Sequence, residues 1–219
     1  PHANAHRVPY TTRRPHHRAD SAHTYPREDA LIVHIEHLSL TNFRNYARLE
    51  SPLPDAPVVI HGLNAQGKTS LLESIYYLAT ARSPYTTSDR QLLNWAAEES
   101  VLPFARIAAD IHSKARGYTR LEVTITQETT SDGVRRYRKV VRLNGVDKRV
   151  MDIIGTVNVV LFLPRDLMLI EGAPADRRRF MDVTLSQVEA PYVAALDHYE
   201  KTLTQRNALL KRIGAGQAS

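Results

Sequence analysis

Residues 62–69 read Gly-Leu-Asn-Ala-Gln-Gly-Lys-Thr, and no other stretch of this chain has residue types and spacing so suited to chemistry. They satisfy G-x-x-x-x-G-K-[ST] in full. Gly62 and Gly67 permit the tight backbone path in which the amides of Leu63, Asn64, Ala65 and Gln66 wrap a polyphosphate. Lys68 can reach the β and γ phosphates, and Thr69 can give its hydroxyl to Mg²⁺. The expected ligands are therefore ATP and Mg²⁺, with Thr69 touching the metal through ATP. A glycine turn that merely carries a lysine is the competing reading, and the flanks decide against it. Residues 57–60 (Pro-Val-Val-Ile) are a short apolar run of strand type. Residues 70–81 repeat Leu71, Leu72, Ile75, Leu78 and Ala79 at helical spacing. A helix in that place points its unpaired N–H groups and positive dipole end at the phosphates.

Hydrolysis at such a loop also needs an acid after an apolar strand, to hold Mg²⁺ and position water. The strongest apolar run, residues 157–163, is followed by Pro164 and Arg165, so that Asp166 falls late. Glu171 follows Leu167-Met168-Leu169-Ile170 with no room for a crossover, and Asp197 lies within a helical pattern. Leu185-Ser186-Gln187 lacks the glycines of a Leu-Ser-Gly-Gly-Gln element. The pattern is that of a chain able to bind ATP and not equipped here to turn it over, with no catalytic residue assigned.

The elements that must position the loop can be read in chain order. Residues 1–30 carry five His, five Arg and several Pro without aliphatic periodicity, the composition of a disordered basic segment. The irregular His spacing is a weak metal pattern. Val33, Ile35, Leu38 and Leu40 alternate as a half-buried strand with one slip of register, and a turn is expected at Thr41-Asn42. The segment Asn42-Phe43-Arg44-Asn45-Tyr46 then leads to a second strand over residues 47–49 and a Pro-rich turn. Arg44 could reach a bound nucleotide or serve as a surface arginine; its spacing fits both.

Beyond the loop helix, a short helix is expected from Ser88-Asp89 through Trp95. Three strand-like runs follow, at residues 104–111, 121–126 and 137–143, as an antiparallel meander. Arg135, Arg136, Arg138 and Lys139, with Tyr137 among them, could meet a phosphate backbone or be solvated edge charge. Residues 150–154 read as a short helix, and residues 157–163 as a strand buried on both faces in a central parallel sheet. Two helices end the pattern, over residues 176–188 and from Pro191 onward. In the second, Leu196, Tyr199, Leu203, Leu210 and Ile213 form either a coiled-coil-like seam or an ordinary core face.

The whole chain bounds these readings. Its 219 residues and 42% apolar content allow a real core, and no apolar run is long enough to span a bilayer. Zero cysteines exclude disulfides and thiolate metal sites and suit a cytoplasmic location. A formal charge of +6 and a pI near 9.7 favour a polyanionic partner, or simply a Lys/Arg-rich surface. On these features alone a P-loop small-molecule kinase and an ATP-independent DNA-binding module are the alternatives to an ATP-dependent DNA protein. The antiparallel meander suits a kinase poorly.

Four ordered segments carry a more specific signal: NFRNY at 42–46, GLNAQGKTSLLESIYYLATARS at 62–83, VNVVLFLPRDLMLIEGAPADRRRFMD at 157–182, and LSQ at 185–187 with QRNALLK at 205–211. Together they resemble the N-terminal portion of the RecF family of bacterial DNA replication and repair ATPases, over residues 31–211. The resemblance implies an α/β fold, a P-loop NTPase of ABC/SMC head type with an antiparallel meander. It implies an ATP-binding lobe at residues 31–172 and, at 173–219, the start of a second lobe or helical arm. It also implies ATP binding at residues 62–69, with Arg44 and Asn45 near the nucleotide. Binding of DNA, single-stranded DNA and gaps included, would accompany ATP-dependent homodimer formation, and the intact protein would be a slow DNA-dependent ATPase. Recombination mediators of RecO and RecR type are the implied partners, and replication, recombination and the SOS response to DNA damage the implied setting. Two positions depart from the family: Arg165 stands where an acid is usual and Glu171 where a base is usual, in the segment that would sense the γ-phosphate. Arg177, Arg178 and Arg179 match a basic family run that could touch DNA or pair with acids of the first lobe.

Overall fold

The structure, a computed structural model, describes residues 33–98, 100–114, 117–129 and 133–216. The basic segment expected at residues 1–30 lies outside them. The described strands form one six-stranded sheet in the order β2-β1-β3-β4-β5-β6. They are β1 Val33–Phe43, β2 Tyr46–Pro52, β3 Phe104–Ser113, β4 Gly117–Thr129, β5 Arg135–Leu143 and β6 Val146–Lys148, and every neighbouring pair is antiparallel. The helices are α1 Lys68–Thr80, α2 Trp95–Glu98, α3 Val150–Ile153, α4 Met168–Glu171, α5 Pro174–Val188 and α6 Ala190–Gly214.

The alternation of side chains across the pleat gives this sheet a dry face and a wet one. Register aligns Leu40, Ile107, Val123 and Val141 across four strands, and Leu38, Ala109, Leu121 and Leu143 in the next row. These rows meet α1, whose Tyr77, Leu78 and Ala79 are buried with them in a single core. The opposite face carries Ser39, Ala108, Glu122, Arg142 and Asp147 in one row, with Glu50 beyond Ser39. Here charges pair across strands: Arg106 and Arg142 with Glu122, Arg142 also with Asp147, and Arg120 with Asp110. Burial pushes the Glu122 carboxyl up, but hydrogen bonds and charge from Arg106 and Arg142 outweigh that and hold it below the usual carboxylate range.

The slip of register read in the first strand is a bulge between Ile35 and His37. The meander strands are present too, but they continue the β1–β2 hairpin as one sheet through the β1–β3 pairing. Asn144 and Gly145, both at positive φ, close the last run of the meander and turn the chain into β6, a short strand the periodicity did not show. The hairpin turn falls at Arg44-Asn45, not Thr41-Asn42, because Phe43 still pairs with Tyr46 and is fully buried.

Two expectations fail outright. Residues 57–60 join no ladder, and Val59 is 84% exposed. Residues 157–163 form no strand buried on both faces: Val157 is buried, whereas Val160 and Phe162 are 80% and 87% exposed. Apolar composition alone does not make a strand; a ladder needs a paired neighbour, and neither run pairs with any described strand. The run at 157–163 is instead pinned by a side chain. Gln187 accepts a hydrogen bond from the Val159 N–H at 2.7 Å and donates to the Val159 carbonyl at 3.2 Å, standing in for a strand neighbour.

One buried carboxylate ties the hairpin to α1. Glu73, 2% exposed, accepts from Arg44 Nε at 2.8 Å and Arg44 Nη2 at 2.7 Å, and from the Ser83 hydroxyl. Arg44 also donates to the Gln91 carbonyl at 2.8 Å, and Asn94 Nδ2 donates to the Arg44 carbonyl at 2.7 Å. Bidentate, charge-assisted contacts of this kind fix geometry as well as energy.

Truncating Leu121→Ala, at a fully buried row position, is expected to lower unfolding stability by about 3 kcal/mol, whereas Arg138→Ala should shift it by less than about 0.5 kcal/mol. Chemical denaturation midpoints check both. Glu73→Ala leaves the Arg44 guanidinium without its counter-charge and is expected to cost on the order of 3 kcal/mol. The double variant Arg44→Met with Glu73→Leu should recover part of that loss in the same assay.

Candidate functional site

The loop at residues 62–67 connects an extended segment to α1 and takes a path that ordinary residues resist. Gly62 and Gly67 have φ of 144° and 94°, and Ala65 lies at φ 64°. The alanine in the left-handed region costs about 1 kcal/mol, which the surrounding loop must offset. Gln66 helps to do so: its Oε1 accepts the Leu63 N–H at 2.9 Å. A Cβ on Gly62 would stand 2.3 Å from that same oxygen.

Gly67 is the residue before the first turn of α1, in the left-handed conformation, with its carbonyl accepting from the Leu71 N–H at 2.9 Å. The helix has no side-chain cap and no acid in its first turn. Its leading N–H groups and the positive end of its dipole are therefore left to an anion. Lys68 folds back over the loop, Nζ donating to the carbonyls of Gly62 at 3.0 Å and Leu63 at 2.6 Å. Both contacts are solvent-exposed, so the ammonium can trade carbonyls for phosphate oxygens at little cost. Thr69 is exposed beside it, with Asn64, Ala65 and Gln66.

Asn45 and Arg44 part company at the hairpin tip. Asn45 lies against Gly67: a Cβ there would come within 2.5 Å of Asn45 Nδ2 and 2.8 Å of Oδ1. Arg44 commits its Nε, Nη1 and Nη2 to Glu73 and the Gln91 carbonyl, and so braces the hairpin instead of offering free donors to the loop. Of the two readings open for Arg44, nucleotide-facing group or surface arginine, the structure adds a third contact set: its guanidinium is held by Glu73 and the Gln91 carbonyl, at the hairpin tip beside Asn45.

Sequence reasoning missed two residues of this constellation. Tyr46 donates its hydroxyl to the Gly67 carbonyl at 3.2 Å, and burial raises the phenol's pKa so that it keeps its proton. Glu73 is the anchor already described. The signal for the second was the acid in an otherwise apolar helix, Leu71-Leu72-Glu73-Ser74-Ile75, where a charge on the packed side demands a partner.

The remaining polar candidates are taken up locally. Asp166 accepts from the Leu163 N–H at 2.7 Å, and Asp197 pairs with Lys201 at 2.7 Å. In the basic run, Arg138 lies 3.6 Å from Glu128, while Lys139 turns to the dry face of the sheet. There it donates to the Ala81 carbonyl at 2.6 Å and sits 4.7 Å over the Tyr77 ring, burial pulling its pKa down against the raising effect of Asp89. Tyr77 donates to Asp89 at 2.8 Å, and burial, reinforced by Asp89, pushes the Tyr77 phenol far up. Arg177 donates to the carbonyls of Leu169 and Gly172, and Arg179 reaches the Ser83 carbonyl at 3.5 Å; Arg178 is exposed. No group of three potential metal-ligating side chains occurs among the described residues, and no described helix is long and apolar enough to cross a membrane.

Comparison with known proteins bears on the whole arrangement. The profile of a family described as an AAA domain matches residues 37–189. The chain is 49% identical over 183 residues to the DNA replication and repair protein RecF of Chloroflexus aurantiacus, covering 82% of this chain and 46% of that one. It is 42% identical over 182 residues to the protein of the same name from Oceanobacillus iheyensis, covering 83% and 45%. The chain thus spans about half the length of the curated relatives it matches. Among solved structures it is similar to the recombination mediator protein RecF with ATP, at a TM-score of 0.73 and 28% identity, over 86% of this chain and 48% of that one. A structure of an SMC ATPase, from work on ATP-driven dimerisation and DNA-stimulated activation, matches 68% of this chain and 98% of its own at a TM-score of 0.51. At 19% identity this likeness concerns the fold alone. The antiparallel sheet, the glycine loop and the helix that follows it are those of a P-loop ATPase head of ABC/SMC type, and the chain belongs to the RecF family, as the N-terminal portion of such a protein.

Proposed function

We propose that this chain is the ATP-binding head portion of a RecF-like replication and repair protein, which engages DNA when two ATP-loaded heads pair. The observation that carries the reading is the state of residues 62–69. Two glycines and Ala65 sit at positive φ, Lys68 lies over the mouth of the loop, and the first turn of α1 is uncapped. A strongly anionic ligand suits that combination at a helix N-terminus. ATP with Mg²⁺ fits the residues present. The loop amides from Leu63 to Gly67 would hold the phosphates, Lys68 would exchange carbonyl partners for phosphate oxygens, and Thr69 would offer its hydroxyl to Mg²⁺. When bound, the triphosphate supplies the charge that a second head can recognise.

Residues 31–172 then constitute the nucleotide-binding lobe, and residues 173–219 begin a second lobe or arm. The exposed apolar side chains of α6 support the second half of this: Tyr199, Leu209, Leu210 and Ile213 are each about half exposed, as on a helix with further surface to cover. DNA and a second copy of the chain are the proposed partners, with mediators of RecO and RecR type and a cytoplasmic location following from the family. The run at 135–139 contributes less net positive charge than its sequence suggests, since Arg138 and Lys139 lie beside Glu128 and Asp89, whereas Arg177 and Arg179 bond to neutral carbonyls and keep their charge.

Lys68→Ala is expected to abolish saturable Mg-ATP binding, and with it ATP-dependent retention of gapped DNA by the full-length protein. Calorimetric titration and filter retention test this, and undiminished retention by the variant would remove the reading. A protein of these 219 residues is expected to hold ATP without sustained hydrolysis, because its sequence lacks the water-positioning acid after an apolar strand and the Leu-Ser-Gly-Gly-Gln-type element. Phosphate release well above a protein-free control, and lost with Lys68→Ala, would contradict it.

A further inference from the structure

The structure assigns Tyr46 a role beyond packing: we propose that it is a positioning residue of the phosphate loop, its hydroxyl fixing the orientation of the Gly67–Lys68 peptide. The inference rests on the reading of residues 62–69 as the ATP site.

A glycine at φ 94° has no side chain to hold its peptide planes, so something outside the loop must. The Gly67 carbonyl accepts two hydrogen bonds, from the Leu71 N–H at 2.9 Å and from the Tyr46 hydroxyl at 3.2 Å. The peptide unit is planar and trans, so the direction of the Gly67 C=O dictates the opposite direction of the Lys68 N–H. Tyr46 thereby aims an amide at the position where a phosphate oxygen would sit, although it makes no contact with the phosphate itself.

The hydroxyl is delivered from a rigid base. Tyr46 is the first residue of β2 and pairs with the fully buried Phe43. The same hairpin is held at Glu73 by Arg44 and at residues 91–94 by main-chain and side-chain hydrogen bonds. It therefore touches α1 at both the residue that precedes it, Gly67, and its second turn, at Glu73. The approach is close enough to explain Gly67 independently of any ligand: a Cβ would lie 2.9 Å from Tyr46 Oη and nearer still to Asn45. The antiparallel sheet and the loop are thereby tied to one another through the hairpin.

Tyr46→Phe in the full-length protein removes the one oxygen and little else. Amide hydrogen exchange without nucleotide is expected to quicken several-fold at residues 67–71 and to stay unchanged in β3, β4 and β5. The Mg-ATP dissociation constant should weaken about fivefold, the worth of one ordinary hydrogen bond, while the unfolding midpoint holds. Unchanged exchange at residues 67–71 together with unchanged affinity would overturn the proposal, as would a loss of affinity matched by general destabilisation. Should the unsubstituted protein show no saturable ATP uptake while Tyr46→Phe still frees residues 67–71, the ATP reading falls and the brace stands.

Discussion

The buried carboxylate of Glu73 is the constraint on which this architecture depends. A charge taken out of water on the packed side of a helix is tolerated only where its partners are fixed in advance. Glu73 obtains them from two separate parts of the chain, and one of these reaches on to a third. Arg44 comes from the hairpin, Ser83 from the segment after α1, and the Arg44 guanidinium in turn holds the backbone at Gln91. Because each partner can satisfy the acid in only one arrangement, the ion pair specifies how the hairpin sits on α1, and so where Asn45 and Tyr46 meet the loop. Hydrophobic rows such as Leu40, Ile107, Val123 and Val141 supply most of the cohesion, but apolar contacts tolerate sliding. The acid does not.

At the loop itself the balance is different. There the polar groups are exposed and their partners replaceable. Lys68 rests on two carbonyls, and Gln66 on one amide, with water available to both. A rigid frame thus carries a loop whose own contacts are cheap to exchange, which is the division of labour a reversible anion site requires. The frame sets the backbone, and the side chains wait on it.

The sequence was most legible where one physical cause dominates. The glycine loop could be read because positive φ at Gly62 and Gly67 leaves few alternatives, and the bulge in β1 because a slipped alternation of Val33, Ile35, Leu38 and Leu40 has one explanation. It was least legible where a partner distant in sequence decides the outcome. Arg44 reads the same whether it faces solvent, ligand or acid, and its bond to Glu73, 29 residues away, could not be read from its own surroundings in sequence. Lys139 reads as part of a basic surface, yet strand register puts it in line with Ala105 and Ile125 on the dry face. The runs at 57–60 and 157–163 mislead for a related reason. Apolar character announces burial but not which neighbour provides it, and Gln187 stands in for a strand that composition alone implied.

The wet face of the sheet bears on how a polyanion would find this molecule. Arginine and acid alternate there from strand to strand, at Arg106, Glu122, Arg142 and Asp147, and again at Arg120 and Asp110. Fields from such alternating charges cancel within a distance comparable to the roughly 8 Å Debye length of physiological salt. An approaching nucleic acid would feel almost no pull from that side, despite its many arginines. The broad flank of the sheet is thereby left electrically quiet.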